Sequence, residues 1–138
     1  MYEYRCKVVK IIDGDTVDVD IDLGFGVWLK KERIRLYAID TPESRTRDLE
    51  EKKYGLAAKK FLTGMLDDEA GIRLKTQKDA EGKFGRILGE LWRTTNYADQ
   101  SINDYMVEKH HAVRYYGQAK SDIEDEHLKN RKLVILNE

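Results

Sequence analysis

From Val17 to Leu23, apolar residues alternate strictly with acidic ones: Val17, Val19, Ile21 and Leu23 against Asp18, Asp20 and Asp22. A period of two predicts a strand with one buried and one wet face. Val8, Val9, Ile11 and Ile12 predict an earlier strand over residues 5–12, ending at the turn Asp13-Gly14-Asp15. After a glycine-loosened turn at residues 23–27, the run Glu-Arg-Ile-Arg-Leu-Tyr-Ala-Ile predicts a third strand over 32–39, which stops before the chain's one proline, Pro42. The period then changes. Tyr54, Ala57, Ala58, Phe61, Leu62 and Met65 share one stripe of a helix. Residues 72–78 and 86–93 predict two further strands around the loop Asp79 to Gly85. Ser101, as an N-cap, opens a second helix carrying Ile102, Tyr105 and Met106. Ser121-Asp122-Ile123-Glu124 has the pattern of a capping box and opens a third, strongly charged helix. Five short strands with a helix after the third predict an α+β fold: a five-stranded barrel of the OB type with three α-helices. Such barrels bind oligonucleotides on one face.

Composition supports one domain over residues 1–138, since 138 residues suffice for a single core and there is neither repeat nor linker. Lysine and arginine number 25 against 26 acidic residues. That balance conceals local charge. Residues 28–47 and 70–93 are each net +3, and residues 1–27 are acidic. If the two basic segments converge they form a positive patch on a neutral protein. One cysteine, Cys6, excludes an internal disulfide. The amino terminus has no apolar core of a signal peptide, and no stretch is long enough to span a bilayer.

The candidate chemistry lies where strands end. Asp15 and Asp40 can supply two carboxylates to one cation if their strands are neighbours, and Thr41 can add its carbonyl. Calcium takes about 6–8 such oxygen ligands. The alternative for Asp13-Gly14-Asp15 is a plain turn. Asp18, Asp20 and Asp22 begin like an EF-hand loop, but the pattern fails at Leu23 and Leu29, where glycine and glutamate belong. Glu43, just past Pro42, is placed to orient or deprotonate a water. Arg35 and Arg86 suit phosphate, because a guanidinium donates two hydrogen bonds at once. Arg35 precedes Asp40 by five residues, so in a regular strand the two would face opposite sides. His110, His111 and His127 lack metal spacing and are expected on the surface. Cys6 is expected to be buried filler.

Taken together, four stretches resemble the staphylococcal nuclease (thermonuclease) family: Ile12-Asp13-Gly14-Asp15-Thr16-Val17, Arg35-Leu36 with Ile39-Asp40-Thr41-Pro42-Glu43, Lys53-Tyr54-Gly55, and Lys83-Phe84-Gly85-Arg86. The order of elements matches too. The resemblance implies calcium-dependent hydrolysis of DNA and RNA, with single strands preferred, by water attack on phosphorus that leaves 3′-phosphate ends. It puts the metal ligands at Asp15, Asp40 and Thr41, a nearby supporting aspartate at Asp13, and the catalytic groups at Arg35, Glu43 and Arg86. Lys83, Phe84 and Tyr115 would bind the flanking nucleotide, with Tyr116 the alternative to Tyr115. Phe84 departs from the tyrosine of the family's best-studied member and cannot donate a hydrogen bond to phosphate. The chain is also far less basic than that secreted enzyme, which implies weaker nonspecific binding. A monomer is expected, in the cytoplasm or as an intracellular phage-encoded protein, secretion requiring that a signal had been removed. Two other readings compete with an active nuclease: a catalytically silent OB-type module that binds nucleic acid or protein, and a calcium-stabilised structural domain. The completeness of the acid and arginine set favours the nuclease.

Overall fold

The computed structural model describes residues 2–81 and 86–136. Five strands close into a barrel in the order β1 (Glu3–Asp13), β2 (Thr16–Gly24), β3 (Val27–Leu36), β6 (Ile87–Arg93) and β5 (Ile72–Glu81). All neighbours are antiparallel except β3 and β6, which run parallel over three residue pairs, Ile34 to Ile87 through Leu36 to Gly89. That parallel pairing sets part of one basic segment beside part of the other, the condition on which a positive patch depended. Val17, Val19, Ile34, Leu36, Leu74 and Leu91 fill the barrel with almost no exposure, and Ala58 and Leu62 of helix α1 (Leu49–Met65) complete the core. The fold is therefore the α+β, OB-type barrel that the alternation predicts, with α1, α2 (Ile102–Glu108) and α3 (Lys120–Asn130) around it.

The predicted wet face of β2 is wet, and its acids are engaged there. Asp18 pairs with Arg33 at 2.9 Å, Asp20 accepts from the Lys31 amide at 2.9 Å, and Asp22 accepts from Gly24 at 2.8 Å. Leu23, by contrast, is exposed, because the β2–β3 hairpin runs past the end of the barrel before it turns at Phe25 and Gly26. Two boundaries also differ from the pattern. β3 begins at Val27, since Trp28 and Leu29 pair with β2 despite their irregular polarity. It ends at Leu36 rather than running to 39. Ala38 takes a positive φ of 63°, and Ile39–Asp40 forms a separate short strand, β4, paired with β7 (Val113–Arg114).

Helix starts follow their caps. Ser101 accepts from the Asp104 amide at 3.0 Å, as its position predicts. Asp48 caps α1 by accepting from Glu50 and Glu51. The capping box at Ser121 is unused: α3 starts at Lys120 behind Ala119, which makes no side-chain cap bond.

Helix α1 contains two glycines with opposite surroundings. At Gly55 a Cβ would lie 2.2 Å from the Glu43 carbonyl oxygen, so the helix can press on the Glu43–Ser44 backbone only without a side chain. At Gly64 a Cβ would meet nothing within 4 Å. Alanine normally stabilises a helix interior by about 1 kcal/mol over glycine. Gly64→Ala should therefore raise the unfolding midpoint. Gly55→Ala should lower it, because overpacking against backbone costs about 1–3 kcal/mol. Urea unfolding of the two variants checks both signs.

Two of the histidines expected on the surface are not there. His127 is taken up with the site below. The His111 ring stacks on Phe61 with centroids 4.8 Å apart, and its Nδ1 is buried without a hydrogen-bond partner. Burial, with His110 as a smaller cause, pushes its pKa down to about 4. The unfolded chain takes up that proton near its ordinary value, about 6.5. Stability is therefore fully present above pH 6.5 and is lost as pH falls from about 6.5 to about 4. His111→Phe keeps the stack and removes the titration. Its stability should fall less than that of the wild type between pH 7 and pH 5, measured by urea unfolding; equal slopes would exclude His111 as the source.

Candidate active site

Register places the first acid. Thr16 of β2 pairs with Arg35 of β3, so Asp15, one step before β2, sits at the mouth of the barrel beside the Arg35 side chain. Asp15 is only 8% exposed. Its Oδ1 accepts from the Thr16 hydroxyl at 2.9 Å and its Oδ2 from the Thr41 amide at 3.1 Å. Arg35 Nη1 lies 3.4 Å from the same Oδ2. Burying a carboxylate is costly unless partners of this kind surround it.

The second acid arrives by way of the bend. In an unbroken strand Arg35 and Asp40 would face opposite sides. The reversal at Tyr37–Ala38 cancels that. Asp40 Oδ1 ends 3.4 Å from Arg35 Nη2, so one guanidinium faces both carboxylates. Bonds from three directions hold the bend: Leu36 N donates to Asp15 O, Tyr37 N to Gly89 O and Tyr115 N to Ala38 O, each at 2.8 Å. Asn103 of α2, 2% exposed, adds a clamp. Its Nδ2 donates to the Tyr37 and Gly89 carbonyls at 3.0 and 3.2 Å, and its Oδ1 accepts from the Leu91 amide at 3.2 Å.

Thr41 is 4% exposed, and its Oγ1 is buried without a hydrogen-bond partner. Glu43 is exposed, and its amide donates to Glu51 Oε2 at 3.2 Å, which fixes the backbone while leaving the side chain at the surface. Asp13 accepts from the Ser44 hydroxyl and so ties the first acidic turn to the Glu43 loop. Gly14 lies between the two aspartates for space: a Cβ there would meet the Ala58 Cβ at 2.8 Å and Thr41 at 3.1 Å. The turn is a packed junction with α1 rather than a plain surface turn.

Arg86 stands one residue before β6, the strand that runs parallel to the end of β3, and is partly buried. Tyr115 follows β7 and is 40% exposed beside the bend. Lys83 and Phe84 lie outside the described residues. Burial pushes the Cys6 thiol up to about 12, in keeping with filler and not a nucleophile. His127 Nε2, expected at the surface, lies 2.8 Å from Asp40 Oδ2 with its side chain 13% exposed. Asn103, Ser44 and His127 are the residues that sequence reasoning missed. Only Asn103, a polar residue among the apolar positions of α2, left a local trace.

Asp15 and Asp40 share one barrel mouth, with the buried, unbonded Thr41 hydroxyl next in the chain. Oxygen donors of this kind would suit a hard cation better than a softer metal. Among the described residues no three histidine, cysteine or acidic side chains converge as a ready metal cluster, so further ligand positions would fall to backbone and water.

Comparison with known proteins agrees with this geometry. Residues 33–133 match the family model described as staphylococcal nuclease homologue. Among individual relatives, Protein ParB of Escherichia coli is 35% identical over 85% of this chain and 62% of its own length. The thermonuclease of Staphylococcus hyicus is 32% identical over 65% of this chain and 49% of its own length. The micrococcal nuclease of Shigella flexneri is 31% identical, with 84% and 62% covered. The chain thus spans between about half and three-fifths of the length of these three relatives.

The Arg35 contacts carry a stability consequence. Arg35→Ala leaves the Asp15 carboxylate buried without its counter-charge, and breaking a buried pair costs about 3–5 kcal/mol. Asp15→Asn should cost stability as well, but the double variant should cost less than the sum of the two. Strictly additive losses in urea unfolding would show that the two side chains do not act on each other.

Proposed function

The chain belongs to the staphylococcal nuclease family, and we propose that it is a calcium-dependent phosphodiesterase acting on DNA and RNA, as a monomer and with single strands preferred. One observation carries the proposal: Asp15 and Asp40, 25 residues apart in the chain, face one guanidinium at the barrel mouth, with Thr41 and Glu43 immediately beyond. The thermonuclease and micrococcal nuclease relatives supply the reaction class.

In this reading Asp15, Asp40 and the Thr41 carbonyl hold calcium, which supplies Lewis-acid polarisation of a phosphoryl oxygen. Glu43, at the surface end of the same segment, takes a proton from the attacking water. The water oxygen bonds to phosphorus, the bond from phosphorus to the 5′ oxygen breaks, the 5′ oxygen takes a proton from solvent, and Glu43 returns its own to solvent. The phosphate stays on the 3′ side. Arg35 of β3 and Arg86, one residue before the parallel β6, neutralise the charge that builds on the equatorial oxygens. Lys83, Phe84 and Tyr115 bind the neighbouring nucleotide. These groups contact backbone and base faces, which suits cleavage with little sequence preference.

The test is cleavage of single-stranded DNA, duplex DNA and RNA with calcium, with chelator, and by Glu43→Gln. Calcium-dependent products ending in 3′-phosphate are expected. Glu43→Gln should lower turnover about 10²–10⁴-fold, the usual worth of a positioned acid or base, while calcium affinity stays near that of the wild type. A folded protein that binds oligonucleotide and cleaves none of the three would instead be a binding module.

A further inference from the structure

Asp40 is held at both of its oxygens by different parts of the chain. Arg35 reaches Oδ1 at 3.4 Å, and His127 donates from Nε2 to Oδ2 at 2.8 Å. His127 comes from α3, 87 residues further on. That helix is otherwise lightly attached. It buries no residue fully and has no side-chain N-cap. Three side chains on one turn fasten it: His127 to Asp40, Asn130 to the Ala112 carbonyl at 3.2 Å, and Arg131 over the Tyr54 ring at 5.3 Å.

We propose that His127 is a positioning residue for Asp40, and that cation binding at the Asp15–Asp40 pair and docking of α3 on the barrel are one linked equilibrium. The proposal rests on the reading that these two carboxylates hold the cation. Its sign follows from the two contacts. Among the described residues, the Oδ1 of Asp40 and the Oδ2 of Asp15 are joined by the long, shared guanidinium contacts. A cation held by both acids therefore competes with Arg35, not with the shorter His127 bond. His127 keeps the Asp40 carboxylate, one-third exposed, from turning toward water. Groups that orient a metal-binding side chain typically matter 10–100-fold in metal affinity. Linkage is reciprocal: if docked α3 favours the cation, the cation favours docked α3 by the same factor.

Two measurements test this, and neither needs cleavage. The first is calcium titration by calorimetry of the wild type, His127→Ala, His127→Gln and Asn130→Ala. His127→Ala should weaken calcium about 10–100-fold. His127→Gln still has a donor and should recover most of that loss. Asn130→Ala loosens α3 without touching Asp40 and should lose less than His127→Ala. The second is amide hydrogen exchange in α3 with and without calcium. Calcium should slow exchange in the wild type and have no such effect in His127→Ala. Calcium affinity within twofold of wild type in His127→Ala overturns the proposal, as does faster α3 exchange with calcium, which would mean the cation displaces His127. If His127→Ala does not fold, the wild-type exchange decides alone. A chain that couples calcium to α3 yet cuts no nucleic acid would overturn only the nuclease reading. A calcium-dependent nuclease without the coupling would overturn only this one.

Discussion

The site depends on the chain leaving the barrel between Leu36 and Ile39. Had β3 continued straight, Asp40 would face away from Arg35 and from Asp15, and no two carboxylates would share the barrel mouth. The departure requires Ala38 to adopt a left-handed conformation, φ 63°, which costs an L-residue roughly 1–2 kcal/mol. Local sequence does nothing to offset that, since alanine has no side chain to bond back. The compensation is tertiary. The Tyr37 amide donates to the Gly89 carbonyl, the Tyr115 amide donates to the Ala38 carbonyl, and Asn103 makes three hydrogen bonds from a fully buried position. At about 1 kcal/mol net for each bond, these contacts outweigh the strain. Helix α2 thus shapes a site that none of its side chains enters.

A second constraint is distance. α1 lies close against both acidic segments, and it does so where glycine removes the obstacle. Gly14 admits Ala58 to the first aspartate turn, and Gly55 admits the helix to the Glu43 carbonyl. Neither glycine has a positive φ, so neither serves conformation. Asp13 and Ser44 then tie the two segments to each other. The barrel, the helix and the Glu43 loop form one packed unit, so the spacing between the acids and Glu43 follows from core packing and not from loop preference.

Much of this was legible in the chain. The alternation of β2, the stripe of α1 and the cap at Ser101 are local signals, and local signals survive folding because their period is tied to backbone geometry. Asp15, Asp40 and Arg35, which the fold brings together, stood out for another reason: their residue types match a chemistry, and the motifs fall in a recognisable order. What was not legible depends on partners distant in sequence. Nothing near Ala38 marks a positive φ, as glycine or asparagine would have done. β4 and β7 are two residues each and pair across more than seventy positions. His127 stands in a charged helix with no apolar seam, and its meaning lies wholly in Asp40, 87 residues earlier. The capping box at Ser121 failed in the opposite way: a strong local signal gave way to a start set by where α3 docks.

The electrostatics of the site follow from the same geometry. Burying Asp15 is costly, and Arg35 offsets that cost by facing it and Asp40 together. Under the proposed function Arg35 then has two partners at different stages: the carboxylates when no cation is present, and a phosphate when one is. A divalent cation satisfies two carboxylates better than a single delocalised charge at 3.4 Å. Releasing the guanidinium toward an incoming phosphodiester therefore costs little once the cation is bound, and costs a stranded buried charge if it is not. The arginine is thus available to phosphate chiefly when the cation is in place. Under that reading a nearly neutral protein would hold substrate tightly only with the cation in place.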